Sequence, residues 1–271
     1  NIVTKFGIEV SHVSPVDVDE WKAAIKPNTK LFFLETPSNP LGEVADLEAL
    51  AELAHSIGAI LVVDNSLLSP AGSQPLKHGA DISVSSATKA IDGHGRVMGG
   101  VLAGSEELMT QVAMYCNSCG LAMSPFNAWE LLSGIETIGI RMEKQFDNAL
   151  KIAQWLQQQP QVQAVYYTGL PDHPQAELIR KQQNGGGIVI GFEVADQEAA
   201  WKVVDGVELF SRTANLGDVR STITHPWTTT HGRMQPEEKL AANIRPGLIR
   251  LSVGLEYVDD LIDDLQQALN K

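Results

Sequence analysis

Short strand-like runs alternate with helix-patterned stretches through the first hundred residues. Residues 30–34 (KLFFL), 59–63 (AILVV), 81–84 (DISV) and 97–103 (VMGGVLA) are the runs, and 7–10 reads as a further strand. Between the first two, residues 46–57 place Leu47, Leu50, Leu53 and Ala54 at helical spacing. Asp46 can cap that helix and Gly58 can end it. Continuous rather than alternating apolar strands, separated by helices, predict a parallel sheet covered on both faces. After Glu106 the period changes. Residues 106–115 and 124–158 read as long helices, with Pro125 just inside the second. The part from 129 to 156 is long enough to bridge two domains. A smaller α+β unit follows, with strands at 162–167, 188–193 and 248–253. Its helices fall at 175–183, 198–204 and 258–269, the last one acidic and amphipathic. The pattern predicts an α/β chain with a large domain over 1–139 and a small C-terminal domain over 140–271, without repeats or low-complexity segments.

Composition narrows the function. The 271 residues include 20 Lys+Arg and 33 Asp+Glu, a net charge of −13, and 44% are apolar, enough for a sizeable core. Without a basic block the chain is a poor partner for nucleic acid or an anionic membrane surface. No apolar run approaches the roughly 20 residues a spanning helix needs. Two cysteines do not make a disulfide framework, so a reducing, cytoplasmic setting is expected.

Ligands of an open parallel sheet bind beyond the carboxyl ends of its strands. Two polar clusters stand at such ends, Asp64-Asn65 and Ser85-Ser86-Ala87-Thr88-Lys89, with Asp64 and Lys89 25 residues apart, about one strand–helix–strand step. Pyridoxal phosphate (PLP) needs a lysine for its Schiff base and a carboxylate to keep its pyridine nitrogen protonated, and hydroxyls such as those of Ser86 and Thr88 can hold its phosphate. A capping Asp and a solvated Lys would give the same spacing. Arg250 interrupts an apolar strand, either as an edge residue facing water or an acid, or as a fork for a substrate carboxylate. Gly93-His94-Gly95 continues to Gly99 with three intervening residues and leads into a strand, unlike the dinucleotide fingerprint, which disfavours a nicotinamide-dependent dehydrogenase. Cys116-Asn117-Ser118-Cys119 lacks a second cysteine pair, and His225 and His231 lack an obvious third ligand, so no metal site is expected.

With these residues in place the sequence resembles the Cys/Met-metabolism class of PLP enzymes. The matching motifs are Glu35-Thr36-Pro37-Ser38-Asn39-Pro40, Val62-Val63-Asp64-Asn65, Gly79-Ala80-Asp81, Ser86-Ala87-Thr88-Lys89, Gly93-His94-Gly95, Asn215-Leu216-Gly217, His225-Pro226 through Thr230-His231, and Leu248 through Glu256. They run along the whole chain in family order. The resemblance implies an aspartate-aminotransferase-like fold (fold type I), with a mostly parallel sheet flanked by helices, and PLP as cofactor. It implies Lys89 as the Schiff-base lysine and Asp64 at the pyridine nitrogen. Ser86, Ala87 and Thr88 would lie at the phosphate, Asn39 near the ring oxygen and substrate, and Arg250 with Asn215 at the substrate α-carboxylate. A finer resemblance, to the O-succinylhomoserine sulfhydrylase subgroup, rests on Ser124 through Trp129, Gly134 through Thr137 with Ile140-Arg141-Met142, Tyr166 through Gln175, and Thr213 through Asp218 with Thr230 through Arg233. It implies γ-replacement: O-succinylhomoserine and sulfide give homocysteine and succinate. Cystathionine γ-synthase and methionine or cystathionine γ-lyase are the alternatives, and a non-catalytic assembly module is the rival from another class. A homotetramer built as a dimer of dimers with shared active sites is also implied. Arg96, where much of the family is acidic or small, could favour an anionic leaving group. Family chains begin well upstream of the position of Asn1, with a Tyr-x-Arg pair, a Gly-Met turn and a ring-stacking Tyr. A missing N-terminal part is therefore expected, and with it poor cofactor binding by the chain as it stands.

Overall fold

A computed structural model describes residues 2–271; Asn1 lies outside the described residues. The segment expected as a strand over 7–10 pairs with no strand among the described residues and follows a short 3-10 turn at Val3–Phe6. α1 (Val18–Ala23) starts where Asp17 accepts the backbone N–H groups of Asp19 and Glu20. The first sheet has the order β1-β2-β3-β4, comprising β1 (Leu31–Glu35), β2 (Ile60–Asp64), β3 (Ile82–Ser86) and β4 (Gly100–Gly104). β1, β2 and β3 are parallel; β4 is antiparallel to β3. The chain between β3 and β4 holds a turn and a glycine loop but no crossover helix, so it can only return antiparallel.

α2 (Leu47–Ser56), capped by Asp46 as its sequence indicates, lays Leu47, Leu50, Ala51 and Ala54 on one face of this sheet with Trp21, Phe32 and Leu34. The opposite face of β1 is not covered by described residues: Leu31 is 49% and Phe33 56% exposed. The expectation of a sheet covered on both faces therefore fails at β1, which alternates buried and exposed positions. α3 (Ser69–Gly72) follows β2, and α4 (Glu106–Cys119) follows β4.

The helix expected over 124–158 is two helices, α5 (Pro125–Ile135) and α6 (Ile138–Leu156). The break has a packing cause. Gly134 lies so close to the Ile91 carbonyl that a Cβ there would sit 2.3 Å from it. The interruption lets the buried Arg141 donate to the carbonyls of Ala90 (2.9 Å), Ile91 (3.3 Å) and Gly134 (2.7 Å).

The second sheet has the order β5-β6-β9-β8-β7, comprising β5 (Ala164–Tyr166), β6 (Val189–Glu193), β7 (Ser211–Arg212), β8 (Thr222–Thr224) and β9 (Leu248–Ser252). All pairs are antiparallel except β7 with β8. α6, α8 (Gln197–Gly206) and α10 (Val258–Leu269) bury Ile152, Leu156, Val203, Leu261 and Leu265 against Phe192, Ile223 and Leu251. α9 (Pro236–Ala241) stands between β8 and β9 in the chain.

Two glutamines, the N-cap Gln175 and the last residue Gln182 of α7 (Ala176–Gln182), tie the second half to the loop after β1. Gln175 exchanges both amide hydrogen bonds with the main chain of Val44 (2.9 and 2.5 Å). Gln182 donates to Ala45 O (2.7 Å) and accepts from Leu47 N (3.4 Å). Replacing Gln182 with Met keeps the volume and strands two buried main-chain groups. We expect a loss of about 2 kcal/mol, read as a melting temperature about 5 °C lower; an unchanged melting curve would show that the junction does not depend on this clasp.

Candidate active site

The carboxyl ends of β1, β2 and β3 lie side by side. Register pairs Glu35 with Asp64 and Asp64 with Val84. Asp64 Oδ1 accepts the N–H of Ser66 (2.9 Å), and Ser66 Oγ accepts the N–H of Ser86 (2.7 Å). Ser66 thus links the strand end that carries Asp64 to the one that carries Ser86, a role that its own sequence context did not suggest. The Ala87 methyl is buried with Ile91, Val97 and Leu131, so only its backbone is free for a ligand. Thr88 Oγ1 is exchanged with Gly99, accepting from its N–H (3.1 Å) and donating to its carbonyl (3.3 Å).

Lys89 sits within a distorted turn at φ −87°, ψ −128°, away from helical geometry. Its Nζ donates to Asn215 Oδ1 at 3.0 Å. Partial burial lowers its pKa, and the nearby positive charge of Arg250 lowers it further. The approach of the 215–217 turn requires glycine. Gly217 has φ +82°, and a Cβ there would fall 2.8 Å from Ala90 N and 2.9 Å from Lys89 Cβ.

Arg250, on β9, is 3% exposed. Its Nη1 donates to Asn39 Oδ1 (3.3 Å), its Nη2 to Ala214 O (2.7 Å), and its Nε has no partner. Burial pulls its pKa down to about 10, opposed by Glu35, so it is cationic at neutral pH. The reading of Arg250 as an edge residue facing water does not hold. Glu35, at the end of β1, keeps a solvent-facing edge. Protein packed around it nevertheless pushes its pKa up to about 7, Asp64 adds to the rise, and Arg250 opposes it. The fold therefore brings Lys89, Asn215, Arg250 and Asn39 into one connected cluster, with Asp64 and Ser86 on adjoining strand ends.

Other sequence candidates lie elsewhere. Arg96 is spent on ion pairs with the fully buried Asp92 (3.0 Å) and with Glu130 (2.7 Å). Cys116 and Cys119 are free thiols at the end of α4. His225 is buried; its Nε2 donates to Pro246 O (2.7 Å), leaving Nδ1 to accept from Thr228 Oγ1 (2.8 Å) and Trp201 Nε1 (3.2 Å). Burial and Lys239 lower its pKa; because both ring nitrogens are engaged inside the protein, it does not pair with His231 as a metal ligand. Among the described residues no group of three or more His, Cys, Asp and Glu side chains could hold a metal, and no helix is long and apolar enough to cross a membrane.

Residues 1–270 match the family model described as Cys/Met metabolism PLP-dependent enzyme. The chain belongs to that family. It is 52% identical over 266 residues to O-succinylhomoserine sulfhydrylase from Pseudomonas aeruginosa, covering 98% of this chain and 66% of that relative. It is 42% identical over 272 residues to L-methionine gamma-lyase from Porphyromonas gingivalis, covering 99% and 68%. A crystal structure of cystathionine gamma-lyase from Lactobacillus plantarum, complexed with L-serine, superposes with a TM-score of 0.95 at 34% identity, covering 99% of this chain and 71% of that one. The chain thus spans about two thirds of the length of these relatives.

PLP is the cofactor of this family, and the residues present fit it. Arg250 Nε is a buried donor without a protein partner, Asp64 has an oxygen free beyond the one held by Ser66, and Lys89 is a lysine whose ammonium is destabilised. For Gly217→Ala, positive φ and the clash with Lys89 predict a loss of about 2 kcal/mol or more. Weaker retention of PLP on dialysis should accompany the lower melting temperature; normal retention would separate Gly217 from the lysine's placement.

Proposed function

We propose that the protein of which this chain is part catalyses γ-replacement on O-succinylhomoserine with sulfide, forming homocysteine and succinate. The observation that carries this reading is the 52% identity to a sulfhydrylase over nearly the whole chain, joined to the Lys89–Asn215–Arg250 cluster. Bound PLP supplies an electron sink for a carbanion at Cα. Asp64 holds the proton on the ring nitrogen, and the Ser86 hydroxyl serves the phosphate. Arg250 binds the α-carboxylate through its fork, with its unpartnered Nε and the donor now on Asn39. The Lys89 amine, which burial and Arg250 hold toward its neutral form, takes a proton from Cα and then one from Cβ, and both positions regain a proton once the nucleophile has added. Asn215 keeps that amine in place. At Cγ the C–O bond breaks, succinate leaves with the electron pair, and hydrosulfide forms the C–S bond, without net oxidation.

The 42% identity to a γ-lyase favours elimination as the second reading, because it retains the same cofactor chemistry. The proposed assembly is a homotetramer, for which exposed Met114, Tyr115, Phe126, Trp129 and Leu132 on α4 and α5 offer apolar area to bury. The deciding experiment incubates the full-length, PLP-loaded protein with O-succinylhomoserine and either sulfide or cysteine, and weighs the products. Homocysteine from sulfide with little cystathionine from cysteine supports the reading. Predominant cystathionine indicates a synthase, and release of an α-keto acid without replacement indicates a lyase. The ion pairs of Arg96 yield a separate expectation. Arg96→Ala should leave the KM for O-succinylhomoserine within about twofold and lower the melting temperature instead, since Asp92 loses its buried partner; a KM rise of about tenfold or more would return Arg96 to the pocket.

A further inference from the structure

The chain carries net charge −13, yet two of its most deeply buried cations make no ion pair among the described residues. Arg250 touches only the neutral oxygens of Asn39 and Ala214. Lys239, on α9, is 6% exposed; its ammonium donates to Trp227 O (2.9 Å) and lies 4.6 Å from the centre of the Trp227 ring. Both flank one loop. The register of β8 with β9 pairs Thr224 with Arg250. The loop leaves β8 there and folds back, with Thr229 Oγ1 hydrogen-bonded to Thr224 Oγ1 (2.9 Å) and to His225 O (2.7 Å). That fold brings His231 to the loop's end. Its Nδ1 pairs with Thr230 Oγ1 (3.0 Å), which leaves Nε2 free. Partial burial, then Arg250, then Lys239 lower the pKa of His231, so the charges acting on it are both positive. Burying a cation against neutral acceptors is costly unless an anion completes the site; three carbonyls satisfy Arg141, whereas Arg250, which Glu35 reaches only through space, and Lys239 have no carboxylate in contact among the described residues. One α-carboxylate on Arg250 answers only one of them.

We propose that His231, in the positive field of Lys239, forms a subsite for a second carboxylate, the one at the far end of the substrate's γ-substituent. The inference rests on the γ-replacement reading and adds the reason for preferring a succinyl ester to an acetyl one. His231 touches the distal carboxylate through Nε2. Lys239 is a positioning residue that supplies charge and anchors the loop through Trp227. Binding the anionic arm also favours proton uptake by His231, which turns a neutral donor into a cationic one.

The test uses the full-length, PLP-loaded protein and three variants, His231→Gln, Lys239→Met and Lys239→Arg. The first quantity is the ratio of kcat/KM for O-succinylhomoserine to that for O-acetylhomoserine. His231→Gln and Lys239→Met should each lower it about tenfold, mainly through KM for the succinyl ester, and Lys239→Arg should restore most of it. Equal losses on both esters, or an unchanged ratio in His231→Gln, would overturn the subsite. The second quantity is binding of two unreactive analogues, α-aminoazelate and the α-aminopelargonate that lacks its distal carboxylate, read from cofactor absorbance. Preference for α-aminoazelate, lost in His231→Gln, supports the subsite even if neither ester turns over, an outcome that would sink the γ-replacement reading alone. Equal binding of the two analogues by the unmodified protein would overturn the subsite while leaving that reading in place.

Discussion

The site depends on the backbone at Lys89, which leaves β3 in a conformation that no regular helix or strand continues. Three contacts hold it there. The main chain of Gly99 binds Thr88 just before the lysine, Arg141 binds the carbonyls of Ala90 and Ile91 just after it, and Gly217 presses on its Cβ side. These partners come from the return to β4, from α6 and from the second sheet. The break between α5 and α6, the glycine at 134 and the positive φ at 217 are all consequences of placing one amine where Asn215 can hold it. Backbone that departs from regular geometry persists only when its surroundings over-determine it.

Electrostatics impose a second constraint. An acidic chain could easily have supplied carboxylates for Arg250 and Lys239, as it does for Arg96 through Asp92 and Glu130. The contrast sorts the cations by use. Arg96 and the carbonyl-bound Arg141 are satisfied by the protein and hold the Lys89 region together. Arg250 keeps an unpartnered donor, and after burial its positive charge is the second cause that lowers the pKa of the Lys89 amine. A cation without a carboxylate in contact costs stability, and the proposed function gives Arg250 an α-carboxylate to bind.

This arrangement explains why replacement and elimination enzymes resemble one another so closely. Sulfhydrylase and γ-lyase relatives share the family to which this chain belongs, and under the proposed function the steps at Cα and Cβ would call on the same lysine, aspartate and arginine. What differs must lie in how the γ-substituent and the nucleophile are held, a task for the loops around Arg250 rather than for the strand ends.

Local sequence determined much. The periodicity from Asp46 to Gly58 specified α2 with its cap, because helix propensity, capping and an apolar stripe all act within a few residues. The runs that became β1 to β3 and the closing helix were legible for the same reason, the run at 7–10 formed no strand, and the motif at Ser86–Lys89 marked the candidate site. The sequence could not tell a solvated Arg250 from a buried one, since its environment is made by Asn39 more than two hundred residues away. It offered Arg96 as a residue that could favour an anionic leaving group, whereas the fold pairs it with Asp92 and Glu130 in the same half of the chain. Nor did it show that Ser66 links Asp64 to Ser86, that 124–158 breaks at Glu136–Thr137, or that β1 alternates. Each of these is settled by contacts between segments far apart in the chain, and tertiary packing overrides local preference wherever a close approach or a buried charge must be satisfied.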